Sequence, residues 1–328
     1  MGEKIAVIMT AYNEEKEWVC ECMDSVLGQT YDNLHLYVLL DNPDNDALKD
    51  LLKSYEEKDS RVSFFVNEKN LGLVRSLNKL LDIVTEKYIA RMDADDICEP
   101  DRLEKEMKFL TDNNLDFVMT DCSFLYPNGE RGCGQSLPAL IGEVFNEASA
   151  YGNVSLHNTW LVKKEAYDLL KGYRDVRFCE DYDFVLRAIQ HKFAIGRMSE
   201  ETVVYRLREG SVSSLNAKEQ FEKARLLRYM YRKGRSVSRI SPEKLNDRFS
   251  GYDMEQKEKF ATAKAEIDTF AGNLYGGSYV SAMGKAVKIM LLSSEGRRLF
   301  FNLFLGRCRL SAVYKKANIQ DNIREDKR

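Results

Sequence analysis

Residues 91–100 read RMDADDICEP. Three carboxylates, Asp93, Asp95 and Asp96, directly follow the apolar run Tyr88-Ile89-Ala90. Clustered carboxylates repel one another and resist desolvation, so at the end of a buried strand they need a cation, a helix N-terminus or open solvent. Taken alone, the D-x-D pattern reads equally well as a pair of hard-cation ligands and as a cap or solvated loop before a helix opened by Pro100. The neighbouring segments separate the two readings.

Upstream, IAVIMTAY, LHLYVLLD, RVSFFVN and KYIARMD are β-rich runs ending near residues 12, 41, 67 and 93. Helical stripes lie between them: Trp18, Cys22 and Val26; then Leu48, Leu51, Leu52 and Tyr55; then Leu73, Leu77, Leu80 and Leu81. Strand–helix alternation predicts an α/β protein with a mainly parallel sheet covered on both faces. In such sheets ligands bind outside the carboxyl ends of the strands. Asp41 and Asp93 both fall there and are expected to share one crevice.

Downstream, DRLEKEMKFL predicts a helix and LDFVMTDCSFLY a strand. Residues 127–152 have little periodicity and read as a long loop over the site. A strand is expected around LHNTWLV, carrying His157, then a short helix KEAYDLL and a helix opened by EDYDFVLRAIQHK. Residues 193–207 read as two short strands, and helices take over from about 215.

At 328 residues, with 44% hydrophobic and 31% charged residues, the composition is that of an ordinary globular chain. Seven cysteines without a CxxC pair suggest neither a disulfide framework nor a zinc site, and fit a reducing cytoplasm. The N-terminal apolar run is too short for a signal peptide, and no segment reaches transmembrane length. The net charge of -3 is uneven: residues 279–316 hold eight Lys or Arg against one Glu, a local +7 that leaves about -10 for the rest. Within 297–316, phenylalanines and leucines alternate with cations, which suits a membrane interface, a core helix or a dimer contact. No nucleic-acid-binding fold accompanies the basic segment, so nucleic acid is not an expected partner.

The first turn reads TAYNEE, neither a GxGxxG fingerprint nor a phosphate loop. Phosphates would need another source of positive charge, and Mn²⁺ or Mg²⁺ on Asp93 and Asp95 is the expected one.

Seven pieces in order, VIMTAYNEE, the Asp ending LYVLLD, NLGLVRSLN, RMDADD, HNTWLVKKEAY with GYRD, CEDYDF and YRLREGSVS, resemble the family 2 glycosyltransferases, over about residues 4–215. The resemblance implies the GT-A fold, a Rossmann-like mixed, mainly parallel sheet flanked by helices. Residues 1–214 would form the catalytic domain, with 1–98 as the nucleotide-binding half and 99–214 as the acceptor-binding half. Residues 215–328 would be a helical C-terminal extension. The implied reaction is inverting transfer of one hexose from a nucleotide sugar, a UDP-hexose favoured, because the QxxRW motif and spanning helices of processive members are absent.

By the same resemblance Thr10, Tyr12, Glu14 and Asp41 contact the nucleoside half, although Asp41 could instead cap the helix after DNPDND. Asn70, Gly72, Arg75, Asp93 and Ala94 would lie along the donor, with Arg75 facing phosphate, Asp93 or solvent. Asp181 maps to the general base, with Glu180 beside it; both also suit a helix start. His157 would touch sugar or acceptor, or else serve the structure, as a lone histidine more often does. Many relatives carry His where this chain has Arg208, and Arg cannot ligate a cation, so Arg208 and Arg206 are expected either on the diphosphate or in surface salt bridges, and strict metal dependence is in question. Members of this kind often build capsule, exopolysaccharide or O-antigen units on a polyprenyl-diphosphate carrier at the inner membrane face, which implies a peripheral location there. A sugar nucleotidyltransferase and a nucleotide-sugar-binding protein without chemistry are the rival readings.

Overall fold

In the computed structural model, residues 2–134, 137–208, 215–275 and 294–325 are described. The last five residues of YRLREGSVS, the boundary near 214 and part of the basic run 279–316 lie outside them. The chain divides into two compact units, one of residues 1–146, 154–175 and 180–209, the other of 147–153, 176–179 and 210–328.

The first unit opens with β1 (Ile5–Ala11), α1 (Lys16–Leu27), β2 (Leu34–Leu40), α2 (Asp46–Lys58), β3 (Val62–Val66), α3 (Leu73–Ile83) and β4 (Tyr88–Asp93). The apolar runs sit where the pattern puts them: Val19, Cys22, Met23 and Val26 of α1, Leu48 and Leu52 of α2, and Leu77, Leu80 and Leu81 of α3 are buried. Of the expected stripes, Trp18, Leu51 and Tyr55 are only half-buried, and Leu73 is exposed at the start of α3. Next come β5 (Ile97–Cys98), α4 (Arg102–Asp112), β6 (Phe117–Leu125), β7 (Arg131–Gly132), β8 (Leu140–Ile141) and α5 (Glu143–Ser149). After them follow β9 (Leu161–Lys163), α6 (Lys164–Leu170), α7 (Glu180–Gln190) and β10 (Ile195–Arg206).

One sheet runs β3-β2-β1-β4-β9-β6-β10-β5, with β7 on β6 and β8 on β10. β3, β2, β1 and β4 pair in parallel, as do β6 and β10, while β9 is antiparallel to both β4 and β6. The short β9 thus joins two blocks of strands that point the same way.

Three local expectations change. His157 lies on a 3-10 turn, His157–Thr159, and the strand begins only at Leu161. The two strands expected over 193–207 are one, β10, whose register against β6 slips between Arg197 and Val203. An irregularity there looks in sequence like a break between strands. Residues 127–152 contain β7, β8 and α5, whose buried Val144, Phe145 and Ala148 recur at helical spacing.

The second unit holds α8 (Ala217–Arg232), α9 (Pro242–Phe249), α10 (Met254–Tyr275) and α11 (Ser294–Glu325). Ser241 caps α9 by accepting from the Lys244 amide, with Pro242 in the first turn. Lys223 of α8 is fully buried and donates to Glu219, Asn246 and the Arg177 carbonyl, which satisfies all three of its protons.

Candidate active site

The carboxyl ends of three adjacent parallel strands form the floor of the site. Thr10 near the end of β1 lies opposite Leu39 on one side and Asp93 on the other, and the Asp41 amide donates to Ala11. The strand order reverses between β1 and β4, the position where open α/β sheets leave a crevice. Thr10, Asp41 and Asp93 therefore share one rim. Tyr12 follows β1 and is 43% exposed, and its amide donates to Glu14 at 2.6 Å.

Asp41 is not a helix cap; Asn45 caps α2 by accepting from the Leu48 amide. Instead Asp41 holds the NLG loop. One of its oxygens accepts from Asn67 Nδ2 at 2.7 Å and the Leu71 amide at 2.8 Å, the other from the Gly72 amide at 2.7 Å. Asn70 accepts a second bond from the same Gly72 amide at 2.9 Å. Gly72 has φ +82, which favours glycine, and precedes α3 directly. Asn67, buried at the end of β3, also donates to Ser76 and accepts from Lys79, so the loop and the first turns of α3 are tied to the sheet. Arg75 is exposed on that first turn.

Asp93 does not meet Arg75. Its partner is Arg91, two residues back on β4 and so on the same face of the strand, which grips both carboxylate oxygens through Nη1 and Nη2. Ala94 is buried behind the turn. Asp95 pairs with Arg208 at 3.0 Å. Burial, then the charge of Asp93, and further Glu14 push the Asp95 carboxyl up to about 6 despite Arg208. Asp96 is buried, accepts from Asn158 at 2.5 Å and from the Arg206 amide at 2.8 Å, and has its carboxyl raised by burial and by both neighbouring aspartates. None of the three caps a helix, since α4 starts at Arg102 after Asp101. The Arg206 guanidinium donates to the Asp95 carbonyl, pairs with Glu21 and lies over the Trp18 ring, so its role here is to brace the turn.

The CEDYDF stretch enters α7. Glu180 is buried and Asp181 half-buried in the first turn, where the helix dipole favours the ionised carboxylate. Asp183, fully buried, receives Arg174 of the GYRD turn and Arg187 one helical turn on; Arg187 also donates to the Leu170 and Gly172 carbonyls. That turn is clamped from α3: Asn78 accepts from the Tyr173 amide at 2.8 Å and donates to its carbonyl at 2.9 Å. Gly172 has φ +67, and a Cβ there would stand 2.4 Å from Asn78 Oδ1. His157 shares a hydrogen bond of 2.8 Å with the Tyr173 hydroxyl and packs on Trp160, while burial and Arg91 push its imidazole well below the ordinary value. It is therefore neutral at pH 7.

The sequence reading missed Arg91, Asn67, Asn78, Arg174 and Arg187. Two carried a signal: Arg91 and Asp93 at strand spacing, and Asp183 and Arg187 at i, i+4 on a helix. The others act through tertiary contacts that spacing does not encode.

The family model Glycosyl transferase family 2 matches residues 6–132. An uncharacterized glycosyltransferase of Methanocaldococcus jannaschii, MJ1057, is 32% identical over 209 residues, 62% of this chain and 70% of its own. The chain belongs to glycosyl transferase family 2. The O-antigen biosynthesis glycosyltransferase WbnJ of Escherichia coli is 32% identical over 188 residues, 57% of this chain and 72% of its own. The crystal structure of Staphylococcus aureus TarS 1–349 superposes with a TM-score of 0.57 at 16% identity, over 98% of this chain and 92% of that one, and supports the fold.

For this family 2 glycosyltransferase, the donor set on the DAD turn suits a hard divalent cation. Asp93 and Asp95 offer oxygen ligands, and the raised Asp95 carboxyl marks surplus negative charge that a cation would relieve. Among the described residues no cluster of three or more His, Cys, Asp or Glu forms a cage, so substrate oxygens or water would have to complete the shell. No helix among the described residues is long and apolar enough to cross a membrane.

Proposed function

We propose that this glycosyltransferase moves a single hexose from a nucleoside-diphosphate sugar, a UDP-hexose favoured, to an acceptor hydroxyl with inversion at the anomeric carbon. The observation that carries this reading is the common rim of Thr10, Asp41 and Asp93, joined through Asn78 and Tyr173 to the turn before α7. Thr10, Tyr12, Glu14 and Asp41 take the nucleoside side, and the loop at Asn70 and Gly72 closes on it. Arg75, exposed at the start of α3, and Arg208, once released from Asp95, take diphosphate oxygens. Asp93 and Asp95 would hold Mn²⁺ or Mg²⁺, which would supply positive charge to the departing diphosphate.

Asp181 accepts the proton of the acceptor hydroxyl as its oxygen bonds to the anomeric carbon; the carbon–oxygen bond to the diphosphate breaks, and its electrons leave with that group. Glu180 and the Asp183–Arg174–Arg187 cluster hold the first turn of α7 in place. The neutral His157 lies beside Arg91 and suits contact with sugar or acceptor rather than proton transfer. The name of WbnJ supports a glycan acceptor in surface-polysaccharide synthesis, and a lipid-linked one would bring 297–316 to a membrane face.

Incubation with UDP-, GDP- and dTDP-hexoses and candidate acceptors, with the product anomer read by NMR, tests this. An α-linked donor should give a β-linked product, and Asp181→Asn should lower turnover by about 10²–10⁴ while donor binding persists. A retained configuration, or an active Asp181→Asn, would refute it.

A further inference from the structure

The two ends of the chain differ sharply in charge. Residues 210–328 contain 24 Lys or Arg against 13 Asp or Glu, a net +11, which leaves 25 against 39, or -14, for residues 1–209. Within the C-terminal unit the positive charge converges on one ring. The guanidinium of Arg232, the last residue of α8, lies 5.3 Å from the Tyr151 ring centre, and that of Arg309 on α11 lies 5.1 Å from it. Both arginines are exposed, and neither pairs with a carboxylate among the described residues. Two like charges held at one ring, without a counter-charge, are arranged for an anion from outside.

The face of α11 around Arg309 has the matching chemistry. Phe300, Val313 and Ala317 are buried, while Leu305, Cys308, Arg309, Ala312, Lys315 and Lys316 are exposed at three- and four-residue spacing. Leu305 is 52% exposed among these cations, and Lys316 alone is partly offset, by Glu147 at 3.1 Å. A helix face of small apolar groups and cations suits a bilayer interface, where the apolar groups enter the headgroup boundary and the cations meet lipid phosphate.

We propose that the C-terminal unit docks on an anionic phospholipid surface, with Arg232 and Arg309 taking lipid phosphate and Leu305 entering the headgroup region. This docking goes beyond the reading of the sugar site and does not depend on the donor.

The full chain is floated with phosphatidylcholine vesicles and with vesicles containing about 30% phosphatidylglycerol. Binding to the anionic vesicles only, lost as salt rises from about 0.1 to 0.5 M, is expected. The double variant Arg232→Gln/Arg309→Gln should partition roughly thirtyfold more weakly, about fivefold per cation. Lys315→Gln, with one cation removed, should lose about fivefold and serves if the double variant does not fold. Nucleoside-diphosphate binding, measured in parallel, should be the same in every variant, so a failure of the sugar-site reading is seen separately. Equal binding to both vesicle types, no binding to either, or partition unchanged in the variants would overturn the proposal. So would binding to RNA through these arginines with none to vesicles.

Discussion

Asp95 bears an unfavourable charge on the rim of the sheet. Burial and the charges of Asp93 and Glu14 raise its carboxyl to about 6 from an ordinary 3.8, against the pull of Arg208. The folded protein therefore binds this proton more tightly than the unfolded chain. Its ionisation costs no stability below 3.8, costs more as pH rises, and costs its full amount above about 6. Asp95→Asn should raise the melting temperature by about 2–6 °C near pH 7.5 and by little near pH 4, read by scanning calorimetry. The same variant should lose the Mn²⁺-dependent part of nucleotide binding, so stability and function oppose each other at one atom pair. Asp41 is the converse case, with its charge met by three donors. Asp41→Ala leaves the Asn67 amide and the Leu71 and Gly72 backbone amides without their acceptor, which should cost about 2–4 kcal/mol in urea unfolding and open the NLG loop. The aspartates themselves were legible, because carboxylates at strand ends stand out in sequence. Asn67 was not, since a single amide at the end of β3 carries no spacing signal.

At the scale of elements, the account rests on the clamp between α3 and the turn before α7. Gly172→Ala introduces a Cβ against Asn78 and forces a side chain into left-handed backbone. It should destabilise the protein by about 1–3 kcal/mol and, with Asp181 as the proposed base, lower kcat more than it raises the donor KM, because it shifts the start of α7 rather than the nucleotide rim. Asp183→Ala leaves the Arg174 and Arg187 guanidiniums without their shared carboxylate and should cost about 3–5 kcal/mol in chemical denaturation. The first four strands and three helices were readable because each buries an apolar face of one period. The later elements were less so. β10 keeps a single strand through a register slip, His157 sits on a 3-10 turn inside an apolar run, and α5 offers only seven residues of pattern. For β10 the pairing with β6, and not the local sequence, decides the conformation.

At the scale of the whole molecule, the motifs that resembled family 2 glycosyltransferases occupy the acidic part of the chain, and the helical C-terminal part holds the excess of cations. Sheet order explains why motifs far apart in sequence act together: β1 stands between β2 and β4, so residues 10, 41 and 93 meet on one edge. The sequence alone could place Asp41 and Asp93 at strand ends, but not supply the order that makes them neighbours of Thr10. The most direct test is thermal stabilisation of the full chain by UDP, GDP and dTDP, each with Mn²⁺ and with chelator, in wild type and in Asp93→Asn. The account predicts that one nucleoside diphosphate, UDP favoured, raises the melting temperature with Mn²⁺, and that the metal-dependent part of the rise disappears in the variant. A folded protein that responds to none of them, or a variant that responds as wild type does, would contradict it.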